Sequence, residues 1–262
     1  MAASLWFATP PDDGRLPVFC LPYAGTGSAV FAGWQAHLPA WLAPVPVRLP
    51  GREGRLDEPA FDRIEHLIPA LADAVAPHAR TPYVLLGCSM GALMAFELAH
   101  ALKARGLPEP ACLIGVSAVP PHRVPRRPPI AHLDAAELLT AVQARYGSIP
   151  DEVIAEPDLC SLVAPPLRAD LAMFESYAAV PDRTPLSCLV AAVAGVSDAM
   201  VPHQLLLGWG ELTVGPFAPI LVPGGHFVAR ETPGRVLGPL VDALSPLLPE
   251  RSPRAPAVRP VP

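Results

Sequence analysis

Short apolar runs separated by helix-like stretches set the rhythm of this chain. Leu16-Pro17-Val18-Phe19-Cys20-Leu21 reads as a buried strand. Ala43-Pro44-Val45-Pro46-Val47-Arg48-Leu49 reads as a second, and its prolines place it at a sheet edge or a strand start. Tyr83 to Leu86, Cys112 to Ser117, Leu189 to Gly195 and Phe217 to Val222 continue the series. These runs are continuously apolar rather than alternating, the pattern of parallel strands covered by helices on both faces. Between them, Phe31 to Leu38 has helical spacing, and Ala92 to Ala99 reads as helix. Leu67, Ile68, Leu71 and Val75 share one face of an amphipathic helix over Ile64 to Val75. Strands alternating with helices predict a doubly wound α/β fold with a mostly parallel central sheet.

One segment breaks the rhythm. About 70 residues separate Ser117 from the next strand, too many for a simple connection. They hold helical stretches at Ala135–Tyr146 and Leu159–Tyr177 and Pro-rich hinges at Val119-Pro120-Pro121 and Arg126-Arg127-Pro128-Pro129. The expected organisation is a core of residues 1–117 and 186–250 with a helical lid insertion at 118–185. Residues 1–15 read as a loose start, and the Pro-rich tail 251–262 as disordered.

Composition narrows the class. The chain has 262 residues, 51% of them hydrophobic, ample for a large α/β core. A net charge of −5 without a long basic run argues against nucleic acid as a partner. The start lacks a basic region followed by an apolar one, so no signal peptide is expected. No apolar stretch reaches the roughly 18 residues of a spanning helix, so no membrane partner is expected either. The five cysteines are scattered without metal-ligand spacing and read as free thiols in a reducing cytoplasm. No metal or cofactor is expected.

The chemistry concentrates at Gly87-Cys88-Ser89-Met90-Gly91. An apolar strand precedes it and a helix follows, so Gly-x-Ser-x-Gly here reads as a nucleophile elbow of the α/β-hydrolase fold. The turn lifts the Ser89 hydroxyl off the sheet, and the helix N-terminus behind it favours a developing oxyanion. A serine nucleophile needs a base and an orienter, in the chain order Ser, acid, His. His226, in Pro223-Gly224-Gly225-His226-Phe227 after the last strand, is the expected base. Asp198, directly after a buried strand, is the expected orienter, with Asp170 and Asp182 as fallback acids. His37, His66, His78 and His100 read as helix residues, His122 and His132 fall in the insertion, and His203 precedes the last strand. The oxyanion donors are expected to be the N–H groups of Met90 and of Ala24, with Tyr23 or Gly25 as alternatives to Ala24. Acyl-binding candidates are Tyr23, Met90, Leu138, Val142, Met173, Phe174 and Tyr177.

With these residues in place, the chain resembles the type II thioesterases that accompany modular polyketide and non-ribosomal peptide synthetases. The resemblance covers roughly residues 15–248. It rests on Leu21-Pro22-Tyr23-Ala24-Gly25 followed by Phe31 and Trp34, and on Leu49-Pro50-Gly51-Arg52-Glu53-Gly54-Arg55. Gly87 to Ala92, Leu167-Arg168-Ala169-Asp170 and Gly224-Gly225-His226-Phe227 complete it. It implies an α/β-hydrolase that removes acyl groups from the phosphopantetheine arm of acyl or peptidyl carrier proteins, clearing stalled chains. It also implies a Ser89, Asp198 and His226 triad. A monomer is expected. One departure is Cys88, where the family usually carries histidine.

Arg52, Arg55, His122, Arg123, Arg126 and Arg127 are candidates to meet an acidic carrier, or form ordinary surface and internal pairs. The same triad would serve a carboxylesterase or lipase, or a thioesterase that releases its product by cyclisation. A fold kept as a non-catalytic scaffold is the alternative from another class.

Overall fold

Among the described residues, six strands form one sheet: β1 (Leu16–Leu21), β2 (Leu42–Pro46), β3 (Val84–Cys88), β4 (Cys112–Val116), β5 (Leu189–Gly195) and β6 (Phe217–Val222). All are parallel, in the order β2-β1-β3-β4-β5-β6. Eight α-helices are described: α1 (Ile64–Val75), α2 (Met90–Ala104), α3 (Ala135–Tyr146), α4 (Asp151–Ala155), α5 (Pro157–Ser176), α6 (His203–Leu206), α7 (Val228–Glu231) and α8 (Pro233–Leu244). This computed structural model describes residues 5–12, 14–80 and 82–245. The Pro-rich tail expected to be disordered lies outside them.

The period-2 alternation of a strand divides the core. Phe19, Leu21, Leu85, Leu113, Val190 and Ala192 point to one face, where they pack with α1 and α2. Val18, Cys20, Leu86, Ile114, Ala191 and Val193 point to the other, where Val236, Leu237, Leu240 and Leu244 of α8 cover them. Every residue of β1, β3, β4 and β5 is buried, as expected of doubly covered parallel strands. β6 departs from that expectation: it is an edge strand, and its Pro219 and Leu221 are exposed. β2 is the other edge, which accommodates Pro44 and Pro46 because no strand lies beyond it to need their missing N–H groups.

Three local readings change. Phe31 to Leu38 is not one helix: two 3₁₀ turns, Ser28–Phe31 and Trp34–His37, flank Gly33, whose φ of 77° ends any continuous helix. The N-terminal segment is not wholly loose. Phe7 is buried and bridges Val47, with Ala8 N–H donating to Pro46 at 2.9 Å. α8 adds a helix to those expected, and Val236, Leu240 and Leu244 carry its helical period.

The strand order reverses between β1 and β3, since β2 lies on one side of β1 and β3 on the other. Crevices outside the carboxyl ends of strands at such a reversal are where open α/β sheets place their ligands. The loop carrying Ala24 leaves β1 there, and Ser89 follows β3. Between β4 and β5 the chain departs from the sheet to form α3, α4 and α5, which share a small core of Leu138, Leu139, Val142, Ala164 and Leu171.

His100, on α2, makes stability pH-dependent. Its Nε2 is buried without a hydrogen-bond partner among the described residues, and its ring meets Phe96 at 4.6 Å. Burial, reinforced by the charges of Arg183 and Lys103, lowers its pKa from 6.5 to about 4. As pH falls from 6.5 towards 4, the unfolded chain binds a proton here that the folded chain refuses, so folding stability is lost over that window. Thermal midpoints at two pH values within and above this window should therefore separate more in the natural protein than in His100→Leu. Equal separations would contradict the assignment.

Candidate active site

Ser89 sits between the last residue of β3 and the first of α2, with φ 54° and ψ −114°. A non-glycine residue there is strained, and the surrounding packing must hold it. The flanking glycines explain how. A Cβ on Gly87 would lie 2.0 Å from the Gly91 carbonyl oxygen, and one on Gly91 would lie 2.3 Å from that of Leu21. Strand and helix can therefore close on each other only without side chains at these two positions. Ser89 N–H is fixed by donating to Val116 of the neighbouring strand at 2.8 Å.

Two further loops converge on the serine. The one after β6 carries His226, whose Nε2 lies 3.2 Å from Ser89 Oγ. The one after β5 carries Asp198, whose Oδ2 lies 2.9 Å from His226 Nδ1. These loops pass so closely that a Cβ on Gly195 would lie 2.3 Å from Gly224 O. The Asp198 carboxylate is fully buried, and its Oδ1 accepts from the N–H groups of Met200 at 2.9 Å and Val201 at 3.2 Å. With Nδ1–H donating to Asp198, the Nε2 lone pair faces the serine hydroxyl. Asp170 and Asp182 do not enter this arrangement: Asp170 is buried against Arg52, and Asp182 is exposed. His203 is exposed and His122 pairs with Glu211.

Tyr23 packs under the imidazole, 6.1 Å between ring centroids, and its hydroxyl donates to His226 O at 3.4 Å. Cys88 is wholly buried beside Tyr23. Burial pushes both the Tyr23 phenol and the Cys88 thiol up, so each stays protonated at neutral pH. A buried, protonated thiol is not a nucleophile.

The Met90 N–H begins α2 and has no acceptor within the helix. Ala24 lines the same cavity from the opposite loop. Gly25 is removed from the alternative donors, because its N–H donates to Asp170 Oδ2 at 2.7 Å.

The cavity over Ser89 and His226 holds about 300 Å³. Val163, Leu167, Leu171 and Phe174 form one stripe of α5 along it, spaced four, four and three residues apart. Sequence reasoning missed the first three, although this helical spacing was available to find them. Tyr23, Met90, Val142 and Phe174 do line the cavity. Met173 and Tyr177 do not: Met173 points about 100° round α5 from Phe174, and Tyr177 lies just past the helix end at Ser176, on extended backbone. Met173 is buried in the sheet core, and the Tyr177 hydroxyl donates to Glu97 at 2.8 Å. Leu138 is buried within the core of the inserted helices. The apolar stripe beside a polar constellation suits a hydrocarbon-bearing ligand with one reactive polar end. Among the described residues, no three His, Cys, Asp or Glu side chains cluster as metal ligands. No described helix is long and apolar enough to cross a membrane.

The arginines divide between the two readings. Arg52 and Arg55 are buried, the first paired with Asp170 and the second with Glu58 and stacked 4.3 Å over Trp6. His122 and Arg123 share Glu211. Arg126 and Arg127 are exposed, and Arg127 also lines the cavity.

Residues 16–243 match the family model described as "Thioesterase domain", nearly all of the described chain. The chain belongs to this thioesterase family. The gramicidin S biosynthesis protein GrsT of Aneurinibacillus migulanus is 31% identical over 87% of this chain and 89% of its own. The thioesterase RedJ, from the prodiginine biosynthetic pathway in Streptomyces coelicolor, is 36% identical with a TM-score of 0.80, over 92% of this chain and 94% of its own. The type II thioesterase BorB, from the borrelidin biosynthetic cluster, is 27% identical with a TM-score of 0.82, over 93% of this chain and 99% of its own. This thioesterase thus shares the α/β-hydrolase fold of RedJ and BorB.

Proposed function

We propose that this thioesterase hydrolyses acyl groups from the phosphopantetheine arm of acyl or peptidyl carrier proteins, and so clears stalled synthetases, with Ser89, His226 and Asp198 as its catalytic triad. The observation that carries the mechanism is the continuous line of contacts from Ser89 Oγ through His226 to Asp198, at 3.2 and 2.9 Å. The similarity to proteins of gramicidin S and prodiginine biosynthesis supports the substrate class.

In the first step the Ser89 oxygen attacks the thioester carbonyl carbon, and its proton passes to His226 Nε2. Asp198 stabilises the resulting imidazolium and keeps the ring oriented. The N–H groups of Met90 and Ala24 receive the oxyanion. The C–S bond then breaks, His226 returns the proton to the departing thiol, and an acyl-serine remains. Water, deprotonated by His226, attacks that ester; the carboxylic acid leaves and Ser89 regains its proton. The helices between β4 and β5 serve as the lid, with the α5 stripe holding the acyl chain. Arg126 and Arg127, both exposed, meet an acidic carrier, and the enzyme acts as a cytoplasmic monomer.

Intact-mass analysis of enzyme quenched during turnover of a short acyl thioester tests this reading. An acyl adduct mapped to Ser89 is expected, together with Ser89 labelling by a fluorophosphonate. Turnover with the adduct on another residue would overturn it.

A further inference from the structure

Two motifs far apart in the chain, Pro50-Gly51-Arg52 and Leu167-Arg168-Ala169-Asp170, meet in a buried ion pair that the hydrolytic chemistry leaves unexplained. Arg52 Nη1 and Nη2 donate to Asp170 Oδ2 and Oδ1 at 2.7 and 2.8 Å. Asp170 is 1% exposed and Arg52 7%. The pair does not end on itself. Asp170 Oδ2 also accepts the Gly25 N–H at 2.7 Å, and Arg52 Nη1 also donates to Thr26 O at 2.8 Å. Both extra bonds fall on the loop that carries Ala24.

Tyr23 holds the start of that loop by packing against His226 and Phe227, and these bonds hold its backbone beyond. Gly25 sits at φ 72°, and the Tyr23 carbonyl accepts from Thr26 N–H at 3.2 Å and Thr26 Oγ1 at 2.9 Å. A peptide unit is planar and trans, so its carbonyl and N–H point in opposite directions. Anchoring Tyr23 O to Thr26 therefore aims the Ala24 N–H, and Thr26 is itself anchored by Arg52. The next peptide is anchored by Asp170 through Gly25 N–H. We infer that Arg52 and Asp170 are positioning residues, whose buried ion pair aims the Ala24 N–H at the oxyanion. The inference rests on the proposed role of Ala24. It also ties α5 to catalysis, since moving this helix off the core would break the pair and release the loop.

Two variants separate positioning from mere support of the fold. Asp170→Asn leaves a similar shape but weakens every bond to Arg52. Arg52→Met/Asp170→Leu replaces the pair with apolar groups, a change that buried ion pairs often tolerate without loss of stability. Each is assayed for kcat, KM, thermal midpoint and affinity for an acyl trifluoromethyl ketone, whose serine adduct mimics the oxyanion. The double variant is expected to melt close to the natural protein yet lose kcat by about 10²-fold, the cost of a displacement near 1 Å. KM should hold, and the ketone affinity should fall in step with kcat/KM. If the double variant fails to fold, the same split in Asp170→Asn, measured where it is folded, is the decisive result. A folded variant with kcat within about twofold of the natural protein would overturn the inference. Ser89→Ala, run alongside, keeps the two readings apart: activity in that variant would instead overturn the triad.

Discussion

Ser89→Ala is expected to fold normally and to lose thioester hydrolysis by at least about 10⁴-fold in kcat, the scale seen when a serine nucleophile is removed from a working triad. The serine side chain makes its one described hydrogen bond to His226, so no other structure depends on the hydroxyl. The tight turn itself is held by the backbone bond to Val116 and by the two glycines, which alanine at 89 leaves in place. Cys88 cannot substitute, being buried and protonated one residue away. Stopped-flow release of a chromogenic thiol, beside a thermal melt, makes the comparison. Retained turnover with an unchanged melt would remove Ser89 from the mechanism.

Asp198→Asn is expected to leave the fold intact and lower kcat by about 10⁴-fold, through the wrong histidine tautomer. Asp198 Oδ1 faces two backbone N–H donors, those of Met200 and Val201. An asparagine must turn its carbonyl oxygen to them, which leaves its NH₂ facing His226 Nδ1. That nitrogen must then accept, so the ring proton moves to Nε2 and the lone pair facing Ser89 is lost. The variant should bind substrate with nearly unchanged KM, because Asp198 does not line the cavity. Comparable losses in kcat and thermal midpoint would point to collapse of the loop instead.

The parts of this site that were legible in the sequence share a physical character: each follows from a local constraint. Gly87 and Gly91 announce the elbow because strand and helix backbones come too close there for any Cβ. Asp198 and His226 each follow an apolar run that could only be a strand, and strand ends converge at one edge of a parallel sheet. The readings that changed depend on longer-range facts. Met173 and Phe174 are adjacent on α5 and point about 100° apart, so one cavity takes only one of them, while Tyr177 lies past the helix end, where its hydroxyl meets Glu97. The tertiary fold chose the stripe through Val163, Leu167, Leu171 and Phe174. Arg52 and Asp170 are 118 residues apart, and no local pattern announces their pairing. Phe7 is strapped to the sheet by a single bridge, too short for a periodic signal. The 3₁₀ turns around Gly33 carry helix-like apolar spacing without helix length.

The most direct test of the central claim compares one short acyl group in three forms: on the phosphopantetheine arm of a carrier protein, on a small thiol, and as a p-nitrophenyl ester. The proposed function predicts the highest kcat/KM for the carrier-bound thioester and the lowest for the free ester. Equal or better turnover of the free ester, with the carrier-bound acyl group untouched, would contradict it and make this chain a general esterase built on the same triad.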